Sequence, residues 1–426
     1  MRFKIFFPVL LAVFGLNAFS PAAEKISNNS YFSEFKPLSA PKQTGWYLQP
    51  GDRLAICGDS ITEQKMYSRI METYLTVALP ELQISTRQYG WSGERAPGFL
   101  ARMTNDVLRF KPTIATTCYG MNDHQYRAYE AAIGNTYLQN MMAIIETFKD
   151  HGARVVVGSP GSIGQVKSNS HEMNLSLCQL RNIDVELAKK EKVRFADVFW
   201  PMLEAEFTAR EKFGTNFNVA GKDGVHPGWA GQTIMAYAFL KSLGVDGDIG
   251  TFTVNLKSKK ADASKGHEVM SFKNGELKIK SSRYPFCAAG DAMKDDNIRS
   301  GMNLVPFNKE LNRLMLTVKK GKARQYKITW GDETKTFSAE QLGRGINLAD
   351  EFQTNPFSEA FAKVDEAVAK KQAFETKQIK QTFRSPEAKA DMDGVAAQTE
   401  KEREELVAAI KAAFVPVSHT IKISAE

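Results

Sequence analysis

The stretch Ala55–Gln64, "AICGDSITEQ", decides how the fold is read. A run of small and apolar residues breaks at Gly58-Asp59-Ser60 and gives way to a helix-like segment. Gly, Asp and Ser are common turn formers. A serine on a turn after a buried strand also suits a nucleophile at the carboxyl edge of a sheet. The second reading requires a base, a group to orient that base and an oxyanion site elsewhere in the chain.

Outward from this stretch, short apolar runs alternate with amphipathic ones from Leu54 to Leu243. Strands are expected at "RLAIC" (53–57), "QISTRQY" (83–89), "TIATTCY" (113–119), "ARVVVGSP" (153–160) and "VRFADV" (193–198). Between and after them come helical patterns at 66–79, 98–110, 136–152, 171–192 and 229–244. In the first of these, Met66, Ile70, Tyr74 and Ala78 share one face. Strands alternating with helices imply parallel βαβ units and a doubly wound sheet covered on both faces. In such sheets ligands sit beyond the carboxyl ends of the strands.

After about Gly244 the pattern changes. "TFTVNLKS", "EVMSFKNGELKIKSS", "LMLTVKKG" and "QYKITWGDETKTF" alternate in character and are separated by Gly, Asn and Asp, as in an antiparallel β module. A helical hairpin follows over about 356–414. Phe357, Phe361, Val364 and Val368 mark its first helix, and Ser385-Pro386 offers a cap and a first-turn proline for the second. "VPVSHTIKIS" returns as a final strand. The boundaries expected are 1–22, 23–50 (an extension), 51–245 (an α/β domain) and 246–426 (a β-rich module with the hairpin).

A chain of 426 residues suits two or three parts. Its 43% apolar and 24% charged content is that of a globular protein. At the N-terminus, Arg2 and Lys4 precede the apolar run "IFFPVLLAVFGL", with small residues after it. This is a signal-peptide pattern, with cleavage expected near Ala22 or Ala23 and export to the periplasm or the exterior. Cleavage removes two positive charges and no acid, taking the net charge from +8 to +6. That balance is mild, and no basic stripe with interleaved aromatics points to nucleic acid. No later segment suits stable membrane insertion. The four cysteines are widely spaced, and Cys57 and Cys118 end expected strands as buried free thiols or as neighbours able to bond. Neither they nor the six histidines show metal-ligand spacing, so no metal or cofactor is expected.

Four blocks fit together as one constellation: Gly58-Asp59-Ser60; "YGWSGER" with Gly90, Ser92 and Gly93; "YGMNDH" with Gly120, Asn122 and Asp123; and "DGVHPGWAG" with Asp223 and His226. His226 is the candidate base for Ser60, and Asp223, three residues earlier, can turn back to orient its ring. In these blocks the chain resembles the SGNH hydrolases, or GDSL-type esterases, over roughly Gly51 to Leu243. The resemblance implies a flavodoxin-like doubly wound parallel sheet of about five strands. It also implies a Ser60–His226–Asp223 triad and an oxyanion hole of the Ser60 N–H, the Gly93 N–H and the Asn122 amide. Tyr89 before Gly90 departs from the common pattern, where a polar residue is frequent.

His124, Trp91, Arg95 and Tyr119 are further candidates for substrate contact. Asp59 and Asp123 are expected to hold loops through backbone hydrogen bonds. The resemblance implies a serine esterase, and the N-terminal pattern implies its export. Export and the β module favour a carbohydrate O-acetylesterase acting on an acetylated polysaccharide. The alternatives are a lysophospholipase- or thioesterase-like acyl hydrolase, or a non-catalytic carbohydrate-binding or envelope scaffold protein.

Overall fold

The computed structural model describes residues 30–288 and 290–426. The expected signal peptide lies outside the described residues. Residues 30–35 belong to a small unit with a 3₁₀ turn at Ser30–Phe32, and residues 36–426 form the second unit.

The second unit is built on five parallel strands: β1 (Arg53–Gly58), β2 (Ser85–Gln88), β3 (Ile114–Cys118), β4 (Arg154–Gly158) and β5 (Arg194–Ala196). Their spatial order is β2-β1-β3-β4-β5. The order reverses between β1 and β3, which is the switch point where a doubly wound sheet opens a crevice. The helices around the sheet are α1 (Ser60–Glu63), α2 (Tyr67–Ala78), α3 (Ala96–Asp106), α4 (Ala131–Asp150), α5 (Ser170–Glu191), α6 (Phe199–Phe213) and α7 (Trp229–Ser242). Ile70, Tyr74 and Ala78 are buried on one face of α2, as their spacing requires. Helix α6 was not expected from the sequence. Pro201 breaks its apolar pattern, yet it stands in the first turn, where the N–H has no intrahelical acceptor. Cys57 and Cys118 lie on adjacent strands, opposite Thr117 and Gly58 respectively, and all four cysteines are free thiols.

The C-terminal part forms two sheets. In the first, β6 (Asp248–Asn255) runs parallel to β10 (Arg313–Lys319), with β7 (Lys260–Ala263) and β13 (Ile346–Asn347) antiparallel at its edges. In the second, β8 (His267–Lys273), β9 (Glu276–Ser281), β14 (Val417–Ala425), β11 (Gln325–Trp330) and β12 (Glu333–Ser338) are antiparallel throughout. The β6–β10 pair is the departure from the antiparallel expectation. A long crossover connects the two strands, as parallel pairing requires. No helix among the described residues is long and apolar enough to cross a membrane.

The hairpin consists of α8 (Ser358–Lys380) and α9 (Met392–Ala413). Ser385 and Pro386 do begin a helix, with Ser385 Oγ accepting the Ala388 N–H, but it ends at Ala390. Asp391 then caps α9 by accepting the Gly394 N–H. The hairpin packs on the parallel sheet: Ile379, Phe383 and Ala396 join the core formed by Phe99, Tyr137 and Val155.

It also closes the sheet's open edge. Strand β2 is an edge strand, and its outward backbone groups need partners. The Thr86 carbonyl accepts from Lys371 Nζ and Arg403 Nη2, both at 2.7 Å. The Gln88 N–H donates to Glu375 Oε2 at 3.2 Å. Glu375 Oε1 accepts from Lys371 at 2.8 Å and Arg403 at 2.7 Å, and Lys371 also meets Glu72 of α2 at 2.9 Å. Lys371 and Glu375 are each 1% exposed. Burial pushes the Glu375 carboxyl up, but the Lys371, Arg403 and Arg87 charges outweigh it and hold the group below its usual value.

A buried charge stripped of its partner is strongly destabilising. Glu375→Ala leaves Lys371 and Arg403 short of a counter-charge and Gln88 without an acceptor, so it should cost about 3–5 kcal/mol in urea unfolding. Glu359→Ala, on an exposed turn of the same helix, should leave the midpoint unchanged. Equal midpoints for the two variants would remove the edge-closing role.

Candidate active site

Strand β1 ends at Gly58, where a Cβ would stand 2.1 Å from Thr62 Oγ1 and 2.9 Å from the Cys118 carbonyl. Only glycine lets the chain turn this tightly into α1. Asp59 caps that turn, its Oδ1 accepting the Ile61 N–H at 2.9 Å. Ser60 is thereby presented, half-buried, at the carboxyl end of the sheet.

The loop before α7 brings in the partner groups. Ser60 Oγ lies 2.9 Å from His226 Nε2, and His226 Nδ1 lies 2.7 Å from Asp223 Oδ2. Asp223 Oδ1 also accepts the N–H groups of Val225 and His226, each at 2.9 Å. Gly224 closes this turn at φ +72°, in the left-handed region. A carboxylate only accepts, so Nδ1 carries the ring proton and Nε2 is free to accept the serine proton. Partial burial pushes the Asp223 carboxyl up, but the hydrogen bonds from His226 and Val225 hold it below its usual value.

The loops after β2 and β3 complete the rim. Gly93 is exposed at φ +72°, and a Cβ there would meet nothing within 4 Å. Its glycine requirement within the protein is therefore conformational rather than steric. Asn122 is half-buried. Its Nδ2 donates to the Glu94 carbonyl at 3.1 Å and approaches Asp59 Oδ2 at 3.4 Å. Tyr126 donates to Asn122 Oδ1 at 3.2 Å, which fixes the amide orientation. Among the described residues no hydrogen bond takes the Ser60 or Gly93 backbone N–H. Asp123 holds its loop by accepting from the Ala96 N–H at 2.9 Å and the Gly120 N–H at 3.0 Å.

The other candidates fall differently. Tyr119 is fully buried, its hydroxyl donating to Glu94 Oε2 at 2.9 Å, and His124 is fully buried with its ring 4.8 Å from that of Tyr126. Neither presents a surface to a substrate, which corrects the sequence expectation for both. Arg95 is exposed next to the site. Trp91 is half-buried and lies within 5.1 Å of Arg102 and Arg384 and 5.2 Å of Lys380. Its contacts are with α3 and the C-terminal hairpin. Two contributors escaped the sequence reading. Glu94 is gripped by Arg102 through two 2.6 Å bonds and ties the loops after β2 and β3 together. Tyr126 follows Gln125, and both have positive φ, 55° and 58°. Side-chain type gives no signal for such backbone geometry. Among the described residues no group of three or more His, Cys, Asp or Glu is arranged to hold a metal ion.

Residues 56–234 match the model of the GDSL-like lipase/acylhydrolase family. Over these residues the chain is similar to that family, and the protein is an ester-bond hydrolase. Among solved structures, the chain is similar to a gut microbial diltiazem-metabolizing enzyme at 22% identity and TM-score 0.72, over 90% of this chain and 100% of that one. It also aligns with an acetylxylan esterase from Geobacillus stearothermophilus (21% identity, TM-score 0.39, 46% of this chain and 96% of that one). An alpha/beta hydrolase enzyme from the metagenome of Lake Arreo, Spain, aligns at 20% identity and TM-score 0.38, over 47% of this chain and 98% of that one. No curated protein matches the chain.

Burial pushes the Asp59 carboxyl up to about 7, and its neighbours Asp123 and Glu94 add to the rise against the Ile61 N–H. The unfolded carboxyl titrates near 3.9. The fold therefore holds this proton more tightly than the unfolded chain. The contribution of Asp59 to stability is greatest below about pH 4 and declines as pH rises toward about 7. Asn at this position does not ionise. The stability difference between wild type and Asp59→Asn should therefore shift against wild type across that window, as read by urea unfolding. A difference independent of pH would show that Asp59 ionises as freely in the fold as outside it.

Proposed function

We propose that the protein is an exported serine esterase that acts through an acyl-enzyme intermediate and removes short acyl groups, acetyl foremost, from carbohydrate. The observation that carries this reading is the unbroken relay from Ser60 Oγ through His226 to Asp223 at the carboxyl edge of the sheet. As Ser60 Oγ attacks the acyl carbon, its proton passes to His226 Nε2, while Asp223 holds Nδ1–H and stabilises the imidazolium. The Ser60 and Gly93 N–H groups receive the oxyanion, joined by the Asn122 amide once one of its N–H groups leaves the Glu94 carbonyl or Asp59. The alcohol leaves with the proton from His226. Water, deprotonated by the same ring, then cleaves the acyl-enzyme.

The rim of the site supports a short acyl group on a polar alcohol. Ser92, Arg95, Tyr126 and Asp223 are exposed around the half-buried Ser60. Cavities of about 540 and 570 Å³ are lined by residues other than Ser60, Asn122 and His226. Export rests on Arg2, Lys4 and the apolar run behind them. The catalytic unit in this reading is 51–245, with 246–426 as its support.

Ser60→Ala should keep the fold and lower kcat by on the order of 10³-fold or more on a soluble acetyl ester. It should also abolish labelling by a fluorophosphonate probe. A folded variant with near-normal turnover would exclude Ser60 as the nucleophile, and a wild-type protein that ignores the probe would favour a non-catalytic protein.

Asn122→Ala should lower kcat by about 10²–10³-fold, about 2.7–4 kcal/mol, because the oxyanion exists only along the reaction path. A rise in KM alone would make Asn122 a binding residue instead. Rates on acetyl, butyryl and octanoyl esters of one alcohol should fall as the chain lengthens.

A further inference from the structure

The far end of α8 reaches the rim of this site. Lys380 Nζ lies 2.6 and 2.8 Å from the two carboxylate oxygens of Glu63. Glu63 is the last residue of α1, three residues after Ser60, and its Oε2 accepts the Ser92 N–H at 2.5 Å. The next N–H along the chain is that of Gly93. The turn lies hard against α1, since a Cβ on Gly90 would stand 2.1 Å from the Glu63 nitrogen. Two backbone bonds hold the ends of the turn, from the Trp91 N–H to the Gly58 carbonyl and from the Glu94 N–H to the Trp91 carbonyl, each at 3.1 Å. Between them Ser92 and Gly93 are exposed, and the Ser92 N–H is held by Glu63. Lys380 and Arg384 also flank the Trp91 ring. Burial pushes the Glu63 carboxyl up, but Lys380 and Ser92 outweigh it and hold the group below its usual value, so it stays a charged acceptor.

We propose that Lys380 and Glu63 are positioning residues for the reaction: the ion pair clamps the turn Trp91–Gly93 so that the Gly93 N–H points at the oxyanion. The C-terminal hairpin thus completes the catalytic constellation from outside the hydrolase domain. This rests on the function proposed above. The pair is 25% and 20% exposed, so breaking it leaves a partly buried carboxylate and also lowers stability. A donor displaced by 1 Å can cost about 10²-fold in rate. Losing Lys380 also leaves an uncompensated carboxylate near the developing oxyanion, which acts in the same direction. The distinguishing signature is therefore kinetic.

The test measures kcat and KM on a soluble acetyl ester, with thermal unfolding and fluorophosphonate labelling in parallel, on the full chain. Lys380→Met should lower kcat by about 10-fold or more. KM should barely move, labelling of Ser60 should slow in step at a temperature where the variant is folded, and Lys380→Arg should recover most of the rate. Glu63→Gln keeps an acceptor for Ser92 but loses the ion pair. It should lower kcat with unchanged KM, and it carries the test should Lys380→Met fail to fold. Wild type that neither turns over nor labels would defeat the functional reading. Active wild type with a folded Lys380→Met variant within twofold of it, or altered only in KM, would defeat the clamp alone.

Discussion

The parallel sheet ends in an edge strand, β2, whose outward carbonyl and N–H must be satisfied. The chain meets this need with charge rather than with another strand. Lys371 and Arg403 reach the Thr86 carbonyl, and Glu375 takes the Gln88 N–H while accepting from both cations. Glu72 from α2 completes a cluster of two acids and two bases. Each charge is removed from water, so each depends on the others. That mutual dependence seats the hairpin in one register on the sheet. The same register delivers Lys380 to Glu63 and Arg384 to Asp106, whose carboxylate it meets at 2.6 Å.

The site grows out of that frame. The ends of β1, β2 and β3 carry Ser60, Gly93 and Asn122, and the loop before α7 carries Asp223 and His226. The loops are cross-tied by buried carboxyls. Asp59 caps α1, Asp123 binds the Ala96 and Gly120 N–H groups, and Glu94 joins Arg102 to Tyr119. Asp59 and Asp123 lie in a setting that resists their ionisation, pushed up to about 7 and about 6 mainly by burial. Such groups fix geometry at some cost in stability, which is a common arrangement at functional sites. The C-terminal part grips the opposite loop as well. Asp295 Oδ2 accepts the Asn218 N–H at 2.9 Å, and its carbonyl accepts the Ala230 N–H at 3.2 Å, on either side of Asp223 and His226.

The histidines of the C-terminal sheets do work of another kind. Trp330 Nε1–H donates to His419 Nδ1 at 3.1 Å, so His419 carries its proton on Nε2 and donates to Ser281 Oγ at 2.9 Å. The serine then donates to His267 Nδ1 at 2.8 Å, and His267 Nε2–H donates to the Ile249 carbonyl at 3.0 Å. One direction of donation satisfies the whole buried chain with both rings neutral. Burial holds both imidazoles below their ordinary value, His419 at about 3.

The alternation of strands and helices from Leu54 to Leu243 was legible in the sequence because periodicity reports which faces are buried. So was the order of the four blocks, because a turn after a strand is a local event. "DGVH" carries its own geometry, since Asp223 and His226 are three residues apart on one loop. The rest depends on contacts between distant segments. The Lys380–Glu63 pair spans 317 positions and the Lys371–Thr86 contact 285, and nothing local to either residue marks its partner. Burial of His124 and Tyr119 was equally hidden: His124 follows Asn122-Asp123 and reads as a loop position, and Tyr119 ends the expected third strand at the edge of the site blocks. The parallel pairing of β6 with β10 was hidden as well, because alternation marks a strand and is silent on the direction of its neighbour. Local chemistry determined which groups can react. Which of them are held still, and by what, was decided only where the chain folds back on itself.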